Sequence, residues 1–287
     1  MSNKPIGFFD SGVGGTSIWR EVHQLLPNEN TIYLADSKNA PYGEKSKETI
    51  LSYSIKNTEF LLEKGCKLIV VACNTATTNT ISKLRSMFDV PFIGIEPAIK
   101  PAALQSKNNA VGILATKGTL SSELFAKTTQ KFASEITIVE QVGEGLVELI
   151  ESGQLNSLKT TELLELYIKP MLVLKTDFIV LGCTHYPYLI PQIKKIVGDG
   201  VSIIDSGEAV AKQTKAILIK NNLLNLSSNK SNHQFYTNTN TEVLKNILGK
   251  TPENTTIEFA NFLIIDTTLN RKRNFLLFFQ FRLLIIQ

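Results

Sequence analysis

The chain has 287 residues, with 30 basic and 26 acidic side chains for a formal net charge of +4. That is enough apolar chain for one large or two moderate domains, and so small a charge, scattered over helical faces, gives nucleic acid no basic stripe to bind. Three cysteines without a CxxC pair, with only three histidines, exclude a disulfide framework and a structural zinc site, and reduced thiols suit a cytoplasm.

Residues 1–5 are polar and run straight into a strand, so no signal peptide is expected. Residues 6–9 read as the first strand, ending in Asp10-Ser11-Gly12-Val13-Gly14-Gly15-Thr16, whose glycines permit a sharp turn and offer N–H groups to an anion. A helix through Trp19, Val22, Leu25 and Leu26 follows. GVGGT departs from GxGxxG, so a dinucleotide site is a weak reading even though Asp36 follows the second strand at 32–35, and Asp10 reads equally as a helix cap. Asn39-Ala40-Pro41-Tyr42-Gly43 is a loop, in which Tyr42 either lines a pocket or lays its ring over the core. Apolar spacing predicts a helix over 49–64 that stops at Gly65, and Cys66 beyond it reads as a buried structural thiol.

Residues 68–72 form a short buried strand, and Cys73, followed by Asn74 and Thr75, falls where that strand gives way to a helix. Ligands collect at such places in open α/β sheets, and the free N–H groups of the helix draw a thiol toward thiolate. After a strand at 90–95 a second unit begins: helix 99–105, strand 110–115, the turn Thr116-Lys117-Gly118-Thr119 and another helix. A strand at 136–140 and helices at 145–152 and 161–174 lead to the strand 177–182 and Cys183-Thr184-His185, which repeats the setting of Cys73. Helix 187–197, strand 201–204, helix 208–220, a surface loop at 221–234 and a strand at 234–237 complete the pattern, with His233 given no catalytic part. Alternating strands and helices place the chain in the α/β class, and the matched turns and cysteines point to an internal duplication.

One strand-end cysteine suits nucleophilic catalysis, but a Cys183/His185 hydrolase leaves Cys73 without a task. If the duplicated halves face across a cleft, two thiols reach one carbon from opposite sides. One thiolate then removes a proton while the opposing thiol delivers one, which inverts a stereocentre. No lysine adjoins either cysteine to carry a pyridoxal Schiff base and no metal-ligand cluster stands out, so neither cofactor nor metal is expected. The carbanion is left to backbone N–H groups and to Ser11, Asn74, Thr75, Thr119 and Thr184, with Asp10 near Cys73 and His185 near Cys183 to exchange protons.

The motifs FFDSGVGG, APYGEKS, VVACNTAT, ILATKGT and VLGCTHYP, in this order within residues 6–262, resemble those of bacterial glutamate racemases in the cofactor-independent aspartate/glutamate racemase superfamily. The resemblance implies two pseudosymmetric, doubly wound, flavodoxin-like α/β domains with the active site in the cleft between them. The first domain would comprise residues 1–98 plus 208–262, the second 99–207. It further implies interconversion of L- and D-glutamate in a bacterial cytoplasm, supplying D-glutamate for peptidoglycan, by a homodimer with no stable membrane insertion. By motif position, Cys73 and Cys183 are the acid/base pair, assisted by Asp10 and His185, and Asp10, Ser11, Tyr42, Gly43, Asn74, Thr75, Thr184 and His185 contact substrate. A further assisting carboxylate falls at Glu151 in ELIESG, with Glu148 as its competitor. The alternative is a racemase, isomerase or decarboxylase of the same superfamily acting on another acid such as aspartate; a non-catalytic binding protein that kept the fold is the reading from another class. Residues 263–287 depart from the pattern with an apolar tail, whose stretch 275–286 is too short to span a membrane and would need cover.

Overall fold

The computed structural model describes residues 3–262, residues 133 and 228 excepted, so the apolar tail at 263–287 lies outside the described residues. In the first half of the chain the elements run β1 (Ile6–Asp10), α1 (Thr16–Leu25), β2 (Thr31–Ala35), α2 (Lys47–Glu63), β3 (Leu68–Val71), α3 (Asn74–Met87) and β4 (Phe92–Gly94). After α4 (Ile99–Gln105) come β5 (Ala110–Ala115), α5 (Lys117–Leu120), α6 (Glu123–Gln130), β6 (Thr137–Val142), α7 (Leu146–Glu151), α8 (Leu158–Val173), β7 (Phe178–Gly182), α9 (Ile190–Val197) and β8 (Ser202–Ile204). The chain closes with α10 (Gly207–Lys220), β9 (His233–Thr237), α11 (Thr241–Leu248) and β10 (Thr255–Phe259).

Two all-parallel sheets result. One has six strands in the order β10-β9-β2-β1-β3-β4, the other four in the order β6-β5-β7-β8. The segment β2-β1-β3-β4 and the whole second sheet follow the same winding, in which the first strand of each unit lies between the second and the third. Each sheet therefore reverses its winding at one pair, β1/β3 or β5/β7, and helices leaving on opposite faces open a crevice there at the carboxyl ends of the strands. The duplication inferred from the two cysteine settings is thus a duplication of topology, and the α/β class is as expected.

The strands form where the apolar runs require it. β1, β2, β3 and β5 are buried along their whole length, and parallel strands covered by helices on both faces need side chains that are apolar on both. Edge strand β10 is half exposed, with Phe259 turned outward. Helix starts are set by short polar side chains: Ser46, Ser122 and Ser157 accept from the backbone N–H three residues on, at Thr49, Phe125 and Thr160. Those caps explain why α2 begins at Lys47, ahead of its first apolar position, and α8 at the exposed Leu158, ahead of the expected start. The helix α11 was not anticipated, although Leu244, Ile247 and Leu248 fall on one buried face between an Asn240 cap and Gly249.

Cys66 packs under Gly7 in the core, and burial pushes its thiol up to about 12, which suits an inert structural residue. His233 lies on β9 away from the cysteines, where its ring nitrogens meet Thr31 Oγ1 at 2.8 Å and Ser231 Oγ at 3.0 Å. At the same end of the sheet Lys67 and Glu29 form a buried ion pair 2.5 Å apart.

Candidate active site

Cys73 and Cys183 end corresponding strands, β3 and β7, one in each sheet, and both line one small cavity. Its remaining wall comes from Ser11, Pro41, Tyr42, Gly43, Asn74 and Thr75 of the first half and Thr116, Val147, Thr184 and His185 of the second. In this conformation the cavity measures about 10 Å³, room for a single water.

On the first side, Cys73 caps α3. Its Sγ accepts from Ala76 N at 3.4 Å and lies 3.7 Å from Ser11 Oγ. Burial, and then the neighbouring charge of Asp10, hold this thiol well above its usual range, against the pull of the Ala76 N–H. Asp10 is fully buried beneath it. Gly15 N (2.8 Å) and Gly12 N (3.3 Å) both donate to Asp10 Oδ2, while Thr184 Oγ1 donates to Oδ1 at 3.3 Å. Burial raises the Asp10 carboxyl above its ordinary value, with the charge of His185 acting against it.

On the second side, His185 Nδ1 lies 3.8 Å from Cys183 Sγ, and His185 Nε2 lies 2.6 Å from Glu151 Oε1. Burial alone would disfavour the imidazolium, but hydrogen bonds to Cys183 and Glu151, with the charges behind them, hold the ring well above its usual range. Val13 N donates to the same Glu151 oxygen at 2.6 Å. Gly14 N also points at His185 Nε2, at 3.2 Å, yet a nitrogen that gives its proton to Glu151 cannot accept one; the shorter contact identifies the partner. A Cβ on Gly12 would overlap the Glu151 carboxylate, and one on Gly14 would overlap the imidazole. The glycines of this turn serve close approach, and the N–H groups of Gly12, Val13 and Gly15 go to the chain's own two carboxylates.

Of the two candidate carboxylates on α7, Glu151 thus meets His185, while Glu148 faces an outer chamber. Tyr42 is buried in the core and is also one of the residues lining the cavity. Its hydroxyl donates to Asp36 Oδ2, and Asn57 Nδ2 donates to the hydroxyl. Asp36 also accepts from Asn39 and Asn238; burial raises its carboxyl to about 6. Thr119 stands one layer back, bonded to Thr75 and Thr116, and the hydroxyl residue on the wall at that point is Thr116. Pro41, Thr116 and Val147 were not anticipated; only Thr116 had a signal, its place in the turn after β5 that corresponds to Asp10-Ser11 after β1.

Asn74 is buried on the cavity wall with both Oδ1 and Nδ2 lacking any hydrogen-bond partner. Buried polar atoms without partners are costly, and here a donor and an acceptor are held ready beside two thiols. Among the described residues no cluster of His, Cys, Asp and Glu could hold a metal ion, and no helix is long and apolar enough to cross a membrane.

Comparison with known proteins matches residues 13–214 to the Asp/Glu/hydantoin racemase family. The chain is 49% identical to a glutamate racemase of Ectopseudomonas mendocina over 225 residues, 78% of this chain and 86% of that one. Among solved structures it resembles the glutamate racemase isoform RacE1 of Bacillus anthracis, at a TM-score of 0.82 and 29% identity over 92% of this chain and all of the other. It also resembles the Escherichia coli glutamate racemase solved with L-glutamate and an activator, at a TM-score of 0.79 and 33% identity, covering 89% of this chain and 98% of that one.

Proposed function

The chain belongs to the Asp/Glu/hydantoin racemase family, and we propose that within this family of isomerases it interconverts L- and D-glutamate by proton transfer between Cys73 and Cys183. The observation that carries the reading is that the two thiols, from corresponding strand ends of two sheets, line a single cavity. Glutamate as the substrate is supported by the relatives of that name and by the L-glutamate bound in the E. coli protein.

The surroundings of the two sulfurs differ. Burial and Asp10 keep a proton on Cys73, while an imidazolium at His185, held by Glu151, lies 3.8 Å from the Cys183 sulfur. With a substrate between them, the Cys183 thiolate removes the Cα proton and the Cys73 thiol protonates the opposite face. The sulfurs end with their roles exchanged, ready for the reverse reaction, so protons balance within one turnover. Asn74 offers Nδ2 to a substrate carboxylate and Oδ1 to its ammonium, and Ser11, Thr75 and Thr184 add hydroxyls, all in a site closed to bulk water where such contacts are strong. Before a second turnover in the same direction Cys73 must regain a proton and Cys183 must shed one, and Asp10 and His185 are the groups beside them through which those protons pass. Free thiols at the site fit work in a reducing cytoplasm, with D-glutamate passing to peptidoglycan and a homodimer as the working form.

The test is exchange in D₂O. L-glutamate should acquire deuterium at Cα without added cofactor, and Cys73→Ala or Cys183→Ala should abolish racemisation. Exchange at wild-type rate in both variants would remove the two-thiol reading. Running the assay with aspartate beside glutamate separates the proposed substrate from the alternative acid.

A further inference from the structure

Outside the thiol cavity lies a chamber of about 430 Å³ that shares Pro41, Gly43, Thr116 and Val147 with it. The partition between the two is made where the halves touch. Thr75 Oγ1 meets Thr116 Oγ1 at 2.8 Å and Thr119 Oγ1 at 3.3 Å, and Asn79 Nδ2, which faces the chamber from α3, donates to Gly118 O at 3.0 Å. Asn79 also donates to Thr75 O at 2.9 Å, so one amide ties the α3 turn that carries Thr75 to the turn that carries Thr116. Nothing in the local sequence of a helix asks for asparagine there, which is a modest helix former. Lys45, Lys47 and Lys117 line the chamber together with Glu44, Glu144 and Glu148, offering partners to both charges of an amino acid.

We propose that this chamber is the antechamber through which a small anionic amino acid reaches the thiols, and that Asn79 is the latch that keeps the partition shut behind it. The identity of what passes rests on the racemase reading; the partition and its latch do not. A cavity with room for one water cannot admit a diacid without opening. The chamber is a large space that adjoins it, and the partition carries the few bonds named above, each of which contributes modestly. Asn79 touches no reacting atom and acts by positioning Thr75 against Thr116.

Alkylation of the full chain tests this without turnover. With iodoacetamide and peptide mass spectrometry, Asn79→Ala and the isosteric Asn79→Asp, which cannot donate to Gly118 O, should label Cys73 and Cys183 roughly twofold to tenfold faster than wild type, the opening gained when one such bond is lost. Cys66, buried elsewhere, should label at an unchanged rate. No acceleration at Cys73 and Cys183, or a parallel rise at Cys66 that reports general loosening, would overturn the latch. For the route, Lys117→Glu should lower the ratio of iodoacetate to iodoacetamide labelling at both thiols by at least about twofold at low ionic strength. An unchanged ratio would put the opening elsewhere. Should the D₂O assay fail while the labelling behaves as stated, the racemase reading falls and the latch stands.

Discussion

Glu151 Oε1 lies 2.6 Å from His185 Nε2 and takes a second hydrogen bond from Val13 N, so one carboxylate both charges the imidazole beside Cys183 and ties it to the glycine turn of the opposite half. Its place at the end of a six-residue helix lets it bond both halves of the site at once, as Asp10 does from the other side through Thr184.

Replacing Glu151 by Gln keeps an acceptor but removes the charge. His185 is held well above its ordinary range partly by that charge, so the folded pKa should drop and the imidazolium should be lost at lower pH than in wild type. The expected result is a kcat roughly tenfold to a hundredfold lower, with the alkaline limb of the kcat–pH profile moved toward neutrality. A profile that falls in height without moving would show that Glu151 does not act through the imidazole.

Asn74 separates stability from function. Its two unpartnered amide atoms each carry an uncompensated desolvation cost of about 1–3 kcal/mol, so Asn74→Ala should leave Tm unchanged or raise it. The same change should raise KM for glutamate by roughly tenfold or more, since hydrogen bonds to charged groups contribute about 1.5–3 kcal/mol. Thermal melts and steady-state kinetics on one preparation check both. A lowered Tm with unchanged KM would make the residue structural.

Gly14 faces the imidazole with no room for a methyl group. Gly14→Ala should therefore displace His185 and lower kcat/KM by about 10² or more, with a stability loss of about 1–3 kcal/mol. Gly200→Ala, where a Cβ meets nothing within 4 Å, is the matched control and should leave kinetics unchanged.

Acid stability should depend on the ring cluster of Trp19, His23, His233 and Phe235. His233 is fully buried, and burial followed by the nearby His23 lowers its pKa from 6.5 to about 4, so the unfolded chain binds the proton more readily than the folded one. Stability from this group is complete above about pH 6.5 and is lost as pH falls toward 4, by about 3 kcal/mol. Urea melts across that window should show the slope, and His233→Gln should flatten it. An unchanged slope would assign acid lability to other groups.

Much of the fold was legible because its signals are local. Apolar runs bounded by glycine, proline and small polar residues marked nearly every strand from Ile6 to Ile204, and the repeated setting of Cys73 and Cys183 disclosed a duplicated unit before any strand order was known. The helix at Thr241–Leu248 also carried a local signal, a buried stripe between a cap and a glycine, so its absence from the expectations was a misreading rather than a limit of the sequence.

Other features had no local signal. Glu148 and Glu151 differ by less than one helical turn, and only the rotation at which α7 docks decides that one meets His185 and the other the outer chamber. Thr116 and Thr119 share one turn, and only packing against Thr75 puts the first on the cavity wall and the second behind it. The return of β9 to the edge of β2 likewise depends on the path of the whole chain. The sequence by itself determined which residues end strands and which chemistry they carry, because backbone conformation and burial pattern repeat over a few residues. The tertiary structure alone decided which of those ends share a cavity, because that depends on how two sheets far apart in sequence settle against each other through many weak contacts.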